Sequence, residues 1–104
     1  MTWDSLLTFT ETDAVDKNSD AIYVGSLPLS ECLVKLTALT ADCTLDITIE
    51  DSEDGETFAG LAQFLQFTAI GSKSIYIKTN KPYIRYVVNV TGTDAHATFK
   101  LRIG

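Results

Sequence analysis

The sequence predicts an all-β protein, an antiparallel β-sandwich that is jelly-roll-like with about eight strands. Three observations carry this. From Lys73 to Ile103, three runs of alternating apolar and polar residues are separated only by turn residues, the period of two that half-buried antiparallel strands require. Turn signals recur about every 8 to 14 residues along the whole chain, the spacing of a sandwich or small barrel. The 104 residues contain no repeat, linker or low-complexity segment, and 45% are hydrophobic. That is enough for one core, so the chain is read as a single domain over 1–104.

The elements follow in order. Leu7 and Phe9 alternate with Thr8 and Thr10, predicting a first strand over 5–10. Residues 11–20 are polar and predict a loop. A short strand over 21–25 is closed by Ser26-Leu27-Pro28. Residues 31–39 predict a third strand with Cys32, Val34, Leu36 and Ala38 inward. Thr40-Ala41-Asp42 turns the chain into 43–50, the cleanest alternation, with Leu45, Ile47 and Ile49 on one face. Asp51 to Glu56 is an acidic turn in which Gly55 supplies a positive φ. Residues 57–61 are ambiguous and read as a possible helical turn, and 64–70 resume strand character. Three further strands follow: Ile75 and Ile77; Ile84, Tyr86, Val88 and Val90; and Ala97, Phe99, Leu101 and Ile103. Eight strands fit a jelly roll. An immunoglobulin-like order gives nearly the same count, although the single tryptophan, Trp3, is not placed between two cysteines as in antibody domains.

Composition bounds the function classes. The net charge of −6 argues against nucleic-acid binding, which needs a basic surface. The charge is uneven: residues 1–56 carry thirteen acids against Lys17 and Lys35, and residues 57–104 carry Asp94 against six bases. This is either a consequence of strand order or a sign of unlike faces that meet in an assembly. No run approaches the roughly 18 apolar residues of a membrane helix. The opening Met1-Thr2-Trp3-Asp4 lacks the basic and apolar regions of a secretory signal, predicting a chain made in a cytosol. Cys32 and Cys43 both fall on apolar phases and are expected to be buried free thiols. A disulfide is open to them if their strands form a hairpin. Neither has a second Cys or His at metal-ligand spacing.

Groups for catalysis are sparse. The sole histidine, His96, lies on the polar phase of the last strand, and the sequence has no phosphate-binding loop, serine elbow or zinc motif. The chain is therefore expected not to be an enzyme and to need no cofactor. Asp51, Glu53 and Asp54 are a weak calcium candidate, because several carboxylates on one loop can serve a cation that takes six to eight oxygens. Their spacing is not that of an EF-hand, and the same residues suit the capping of a hairpin turn. Tyr76 and Tyr83 fall on the outward phase of neighbouring predicted strands, where they are candidates for a sugar platform or a protein contact. Trp3 and Leu6 open the chain. A terminal aromatic either covers the end of its own sandwich or docks into a partner, so 1–5 is a candidate docking arm.

Two segments carry a family resemblance. Asp51-Ser52-Glu53-Asp54-Gly55-Glu56-Thr57-Phe58 and Lys81-Pro82-Tyr83-Ile84-Arg85-Tyr86, with Thr91-Gly92-Thr93 behind, resemble the jelly-roll capsid decoration (cement) proteins of tailed bacteriophages. The resemblance covers about half of the chain, from Ile47 onward. It implies a virion structural protein, made in the bacterial host cytoplasm, that sits on the capsid exterior as a homotrimer and binds the major capsid protein. Trp3, Leu6, Tyr76, Tyr83 and Arg85 are then the interaction candidates. A carbohydrate-binding sandwich of a phage receptor-binding or bacterial enzyme complex is the alternative, and a head-completion or tail component is a third.

Overall fold

Strand pairing runs inward from the two ends of the chain. In the computed structural model, which describes residues 7–104, β1 (Leu7–Ala14) pairs with β9 (Ala97–Ile103). Next, β2 (Lys17–Asn18) and β3 (Ile22–Tyr23) pair with β8 (Tyr83–Thr91), and β4 (Leu27–Leu39) pairs with β7 (Gly71–Thr79). Innermost, β5 (Thr44–Ser52) pairs with β6 (Ala59–Gln63), and every ladder is antiparallel. The chain is thus one long hairpin bent at the β5–β6 turn. Rolling this hairpin brings β4 onto β9 and β5 onto β8. The resulting sheets have the orders β1-β9-β4-β7 and β2-β8-β5-β6, with β3 also on β8.

Because β2 and β3 share one partner, they act as a single interrupted strand, and the nine described strands fill eight positions. Two four-position sheets paired in this nested way are a jelly roll, not the immunoglobulin order, in which the sheets divide differently.

The core lies between the sheets. Cys32, Val34 and Leu36 of β4, Leu45, Ile47 and Ile49 of β5, Ile84, Tyr86 and Val88 of β8, and Phe99, Leu101 and Ile103 of β9 are all buried. Full burial of one such aliphatic side chain is worth about 1.5–3 kcal/mol. Tyr86 packs between Phe9 and Phe99, with ring centroids 5.7 and 6.4 Å away. Its hydroxyl donates to the Glu11 carboxylate. Burial, then that carboxylate, pushes the Tyr86 phenol far above its ordinary range.

Several sequence expectations are corrected. β1 runs on to Ala14, through part of the segment read as a loop, because Glu11 sits on its inward phase and is taken up by Tyr86 and by Lys17 Nζ at 3.0 Å. A bulge follows Glu11, where the backbone N–H of Asp13 donates to Thr98 Oγ1 at 3.0 Å. β4 begins at Leu27, inside the segment read as a closing turn. Ala38 is exposed rather than inward: the register slips by one residue between Leu36 and Ala38, and one extra residue moves the next side chain to the other face. Residues 59–63 form an edge strand rather than a helical turn. Residues 64–70 are mostly irregular, with a single bridge from Phe67 to Leu45. Phe64 and Phe67 are buried there while Leu65 is 79% exposed, a spacing of three that no strand supplies. Cys32 and Cys43 are buried free thiols as expected. The hairpin that would have joined them does not form, because β4 and β5 belong to opposite sheets.

Candidate functional site

A groove opens where β4 outruns its neighbour. β4 has 13 residues and β9 has 7, so pairing to β9 starts only at Cys32, while pairing to β7 reaches back to Leu27. Over 27–30, one edge of β4 therefore has no partner strand among the described residues. Pro28 sits where the register to β7 slips by one residue. A proline has no N–H to give to a ladder, and bulges tolerate it. The Ser30 hydroxyl donates back to the Pro28 carbonyl at 2.6 Å, and the Gly104 N–H caps the Glu31 carbonyl at 3.1 Å.

The groove encloses about 770 Å³, and Leu7, Tyr23, Leu27, Leu29 and Tyr76 are among its lining residues. Tyr23, Leu29 and Tyr76 are 70%, 68% and 66% exposed. Three large apolar side chains left in water around one concavity make this groove the candidate site.

The turn that follows Tyr23 is tied to the β7–β8 turn. The N–H groups of Val24 and Gly25 both donate to the Pro82 carbonyl, at 2.7 and 3.1 Å. Gly25 holds φ at 73°, with the Tyr23 ring close by. Tyr23 then meets Tyr83 edge to face at 5.5 Å between centroids. Tyr76 and Tyr83, expected on neighbouring strands, stand on β7 and β8 in different sheets. It is Tyr23 that relates them, by stacking on one and sharing the groove with the other. Tyr23 falls within the short strand predicted over 21–25, of which only Ile22–Tyr23 forms, and nothing local in that stretch sets it apart as a site residue.

Arg85, Asp51 and Asp54 are engaged by partners within the molecule. Arg85 Nε lies 2.7 Å from Glu50 Oε1, its register partner, and the guanidinium sits 4.3 Å from the Phe58 ring centroid. The calcium candidates do not converge. Asp51 continues the inward phase of β5, is buried, accepts from Thr79 Oγ1 at 2.8 Å and lies 3.5 Å from Lys81 Nζ. Asp54 accepts instead from the backbone N–H groups of Thr57 and Glu56 at 2.8 and 2.9 Å and from the Ser52 hydroxyl at 2.9 Å. Those bonds, Thr57's first, hold its carboxyl down at about 2. Glu53 is exposed on the same turn. Gly55 has the positive φ expected of it, 78°, with the Tyr83 ring beside it. Among the described residues, no three His, Cys, Asp or Glu side chains are grouped to hold a metal. His96 stands at the opposite end of the sandwich, its Nδ1 3.2 Å from the Asp13 carbonyl. Trp3, Leu6 and the arm at 1–5 lie outside the described residues.

No family model and no curated protein matches the chain. Among solved structures, it is similar to the Eiger TNF of S. frugiperda. The two are 11% identical with a TM-score of 0.52, over 92% of this chain and 83% of that one. A likeness at this identity concerns the fold, and it agrees with the jelly-roll order. A structure of Desmodium yellow mottle tymovirus aligns with TM-score 0.40 and 12% identity over 94% of this chain and 83% of that one. One of infectious bursal disease virus, Gx strain, aligns with TM-score 0.38 and 15% identity over 96% of this chain and 32% of that one.

Proposed function

We propose that this chain is a non-enzymatic virion structural protein: a capsid decoration protein that binds the outer capsid surface as a homotrimer and stabilises it. It would be made in the cytoplasm of a bacterial host and meet the major capsid protein there or on the particle. The observation that carries this reading is the groove. The sandwich presents Tyr23, Leu29 and Tyr76 to solvent beside a stretch of β4 edge that is unpaired among the described residues. Tyrosine suits such contacts because it adds a large apolar area and a polar tip at low entropic cost. The unpaired edge offers backbone donors and acceptors to an added strand. The jelly-roll order and the resemblance at 51–58 and 81–86 are in keeping with it. Purified chain added to capsids lacking it should co-sediment with them and raise their melting temperature. Tyr23→Ala with Leu29→Ala should weaken both effects. If the unaltered chain neither sedimented with capsids nor stabilised them, the reading would be lost.

The same groove favours one second reading, a carbohydrate-binding module. Two exposed tyrosines on the walls of a groove of this size can stack on sugar rings. A glycan array showing binding that disappears in both Tyr23→Ala and Tyr76→Ala would select it over capsid binding.

A further inference from the structure

The eight bases of the chain divide into two sets. Four lie off the outer face of the β1-β9-β4-β7 sheet, and each has a partner within the molecule. Lys17 Nζ is 3.0 Å from Glu11, Lys81 Nζ 3.5 Å from Asp51, and Arg85 Nε 2.7 Å from Glu50. Lys73 Nζ lies 5.4 Å from the Phe67 ring centroid. The other four are Lys35 on β4, Lys78 on β7, and Lys100 and Arg102 on β9. All four are exposed on the outward phase of that sheet, and none makes an ion pair with a described carboxylate.

Their placement is unfavourable for an isolated sheet. Lys35 and Lys100 are register partners, and Arg102 stands opposite Leu33 one pair further along the outward row. Like charges directly across a ladder destabilise it. Lys35, Lys100 and Arg102 border a shallow groove of about 290 Å³ with Thr8 and Leu33. Among the described residues, Glu31, in register with Tyr76, is on this face, and Asp13 lies at its margin, at the β1 bulge opposite Thr98. A strongly basic face has thus formed on a chain of net charge −6.

The complementary surface is on the same molecule. The β1–β2, β4–β5 and β8–β9 loops meet at one end of the sandwich. There the Thr40 N–H and hydroxyl bond the His96 carbonyl at 3.1 and 3.2 Å, and His96 Nδ1 contacts the Asp13 carbonyl. Asp42 and Asp94 are exposed on the β4–β5 and β8–β9 loops, Asp13 is exposed at the bulge near the end of β1, and none is paired with a described base. All three hold positive φ, at 49°, 61° and 49°. Aspartate tolerates that region better than most residues, which suits Asp42 and Asp94 to their turns and Asp13 to its bulge.

We infer that the outer face of the β1-β9-β4-β7 sheet is the docking surface for the acidic loop end of a second copy of this chain. Lys35, Lys100 and Arg102 meet Asp42 and Asp94 across the contact. Unlike patches meeting in this way make a heterologous interface, which closes into a ring when the rotation permits and otherwise extends. The inference rests on the proposed self-association, to which it assigns surfaces and a salt dependence.

Light scattering at about 0.05 M and about 0.5 M salt tests it, since screening shortens the reach of such charges to a few ångströms. The unaltered chain should be oligomeric at low salt and fall to the monomer mass at high salt. Lys35→Glu with Lys100→Glu should be monomeric at both, as should Asp42→Asn with Asp94→Asn, which keeps side chains suited to positive φ. Thermal unfolding of each checks that the sandwich is intact. Mixing the two variants should restore association to a dimer, because one keeps the acidic end and the other the basic face. An oligomer indifferent to salt and to both variants would overturn the inference, as would an unaltered chain monomeric throughout. Capsid co-sedimentation of the same proteins reads the proposed function separately, so either idea can fail alone.

Discussion

Thr79, at the end of β7, donates its hydroxyl to the carboxylate of Asp51, at the end of β5, with Oγ1 2.8 Å from Oδ2. Both residues are buried, and their strands belong to opposite sheets. The Thr79 hydroxyl also accepts from the Lys81 N–H at 3.0 Å, and Lys81 Nζ approaches Asp51 Oδ1. One hydroxyl therefore ties the two layers together and sets the β7–β8 turn. Thr79→Val removes the donor but keeps the shape, leaving a buried carboxylate short of a partner. It should cost about 1–3 kcal/mol, whereas Thr79→Ser should retain most of the stability. Urea midpoints check this; equal midpoints for Val and Ser would contradict it.

The β5–β6 turn should be acid-sensitive through Asp54. Its carboxyl is held at about 2 in the folded protein, below the ordinary 3.8, chiefly by the Thr57 N–H and next by the Glu56 N–H and the Ser52 hydroxyl. A depressed folded-state pKa gives stability that is present above the unfolded value and lost as pH falls through the folded one. Asp54→Ala should therefore lower the unfolding midpoint at neutral pH. The gap to the unaltered chain should narrow from about pH 4 and close near pH 2. A gap that did not change with pH would show that the turn depends on shape rather than on the charge.

Gly92 cannot be replaced without strain. Its φ is 137°, and a Cβ there would lie 3.1 Å from the Cys43 Cβ and 3.3 Å from its Cα. The obstruction includes backbone, which cannot swing away as a flexible side chain does. Gly92→Ala should cost about 2–3 kcal/mol, combining a disfavoured φ with overpacking. In the same assay Gly60→Ala, on edge strand β6 with open space around it, should cost less than about 1 kcal/mol.

The Cys32 thiol should be inert in the native state. Burial, and secondarily the charge of Glu31, pushes it up to about 12, and the thiolate is the reactive species. A thiol reagent at neutral pH should label Cys32 no faster than the protein opens, and quickly in urea. Rapid labelling of the native protein would show that β4 is less firmly seated than its burial implies.

Several of these features were legible along the chain. The inward phases of β5, β8 and β9 follow directly from Leu45-Ile47-Ile49, Ile84-Tyr86-Val88-Val90 and Phe99-Leu101-Ile103, because alternation is a local property. The hairpin reading of Asp54 and Gly55 was legible for the same reason. Phe64-Leu65-Gln66-Phe67 has the apolar density of a strand, while burial there follows a spacing of three. Ala38 misled because a single bulge inverts every phase after it. Asp51 looked like one acid of an exposed turn, yet it extends the β5 phase by one more inward step.

The sequence by itself determined an all-β sandwich, its main core faces and the acidic-to-basic drift from one half to the other. Those depend on near neighbours and on composition. Only the tertiary structure decided the jelly-roll order, since pairing joins residues as far apart as Leu7 and Ile103 and depends on which loops close. The same long-range pairing decided where the charges went. The nested hairpin matches each strand of the acidic half with one of the basic half, pairs Arg85 with Glu50 and Lys81 with Asp51, and leaves Lys35, Lys78, Lys100 and Arg102 together on one outer face. It also made the groove, because Tyr23 and Tyr76 come from different sheets and share it only once the sheets have packed.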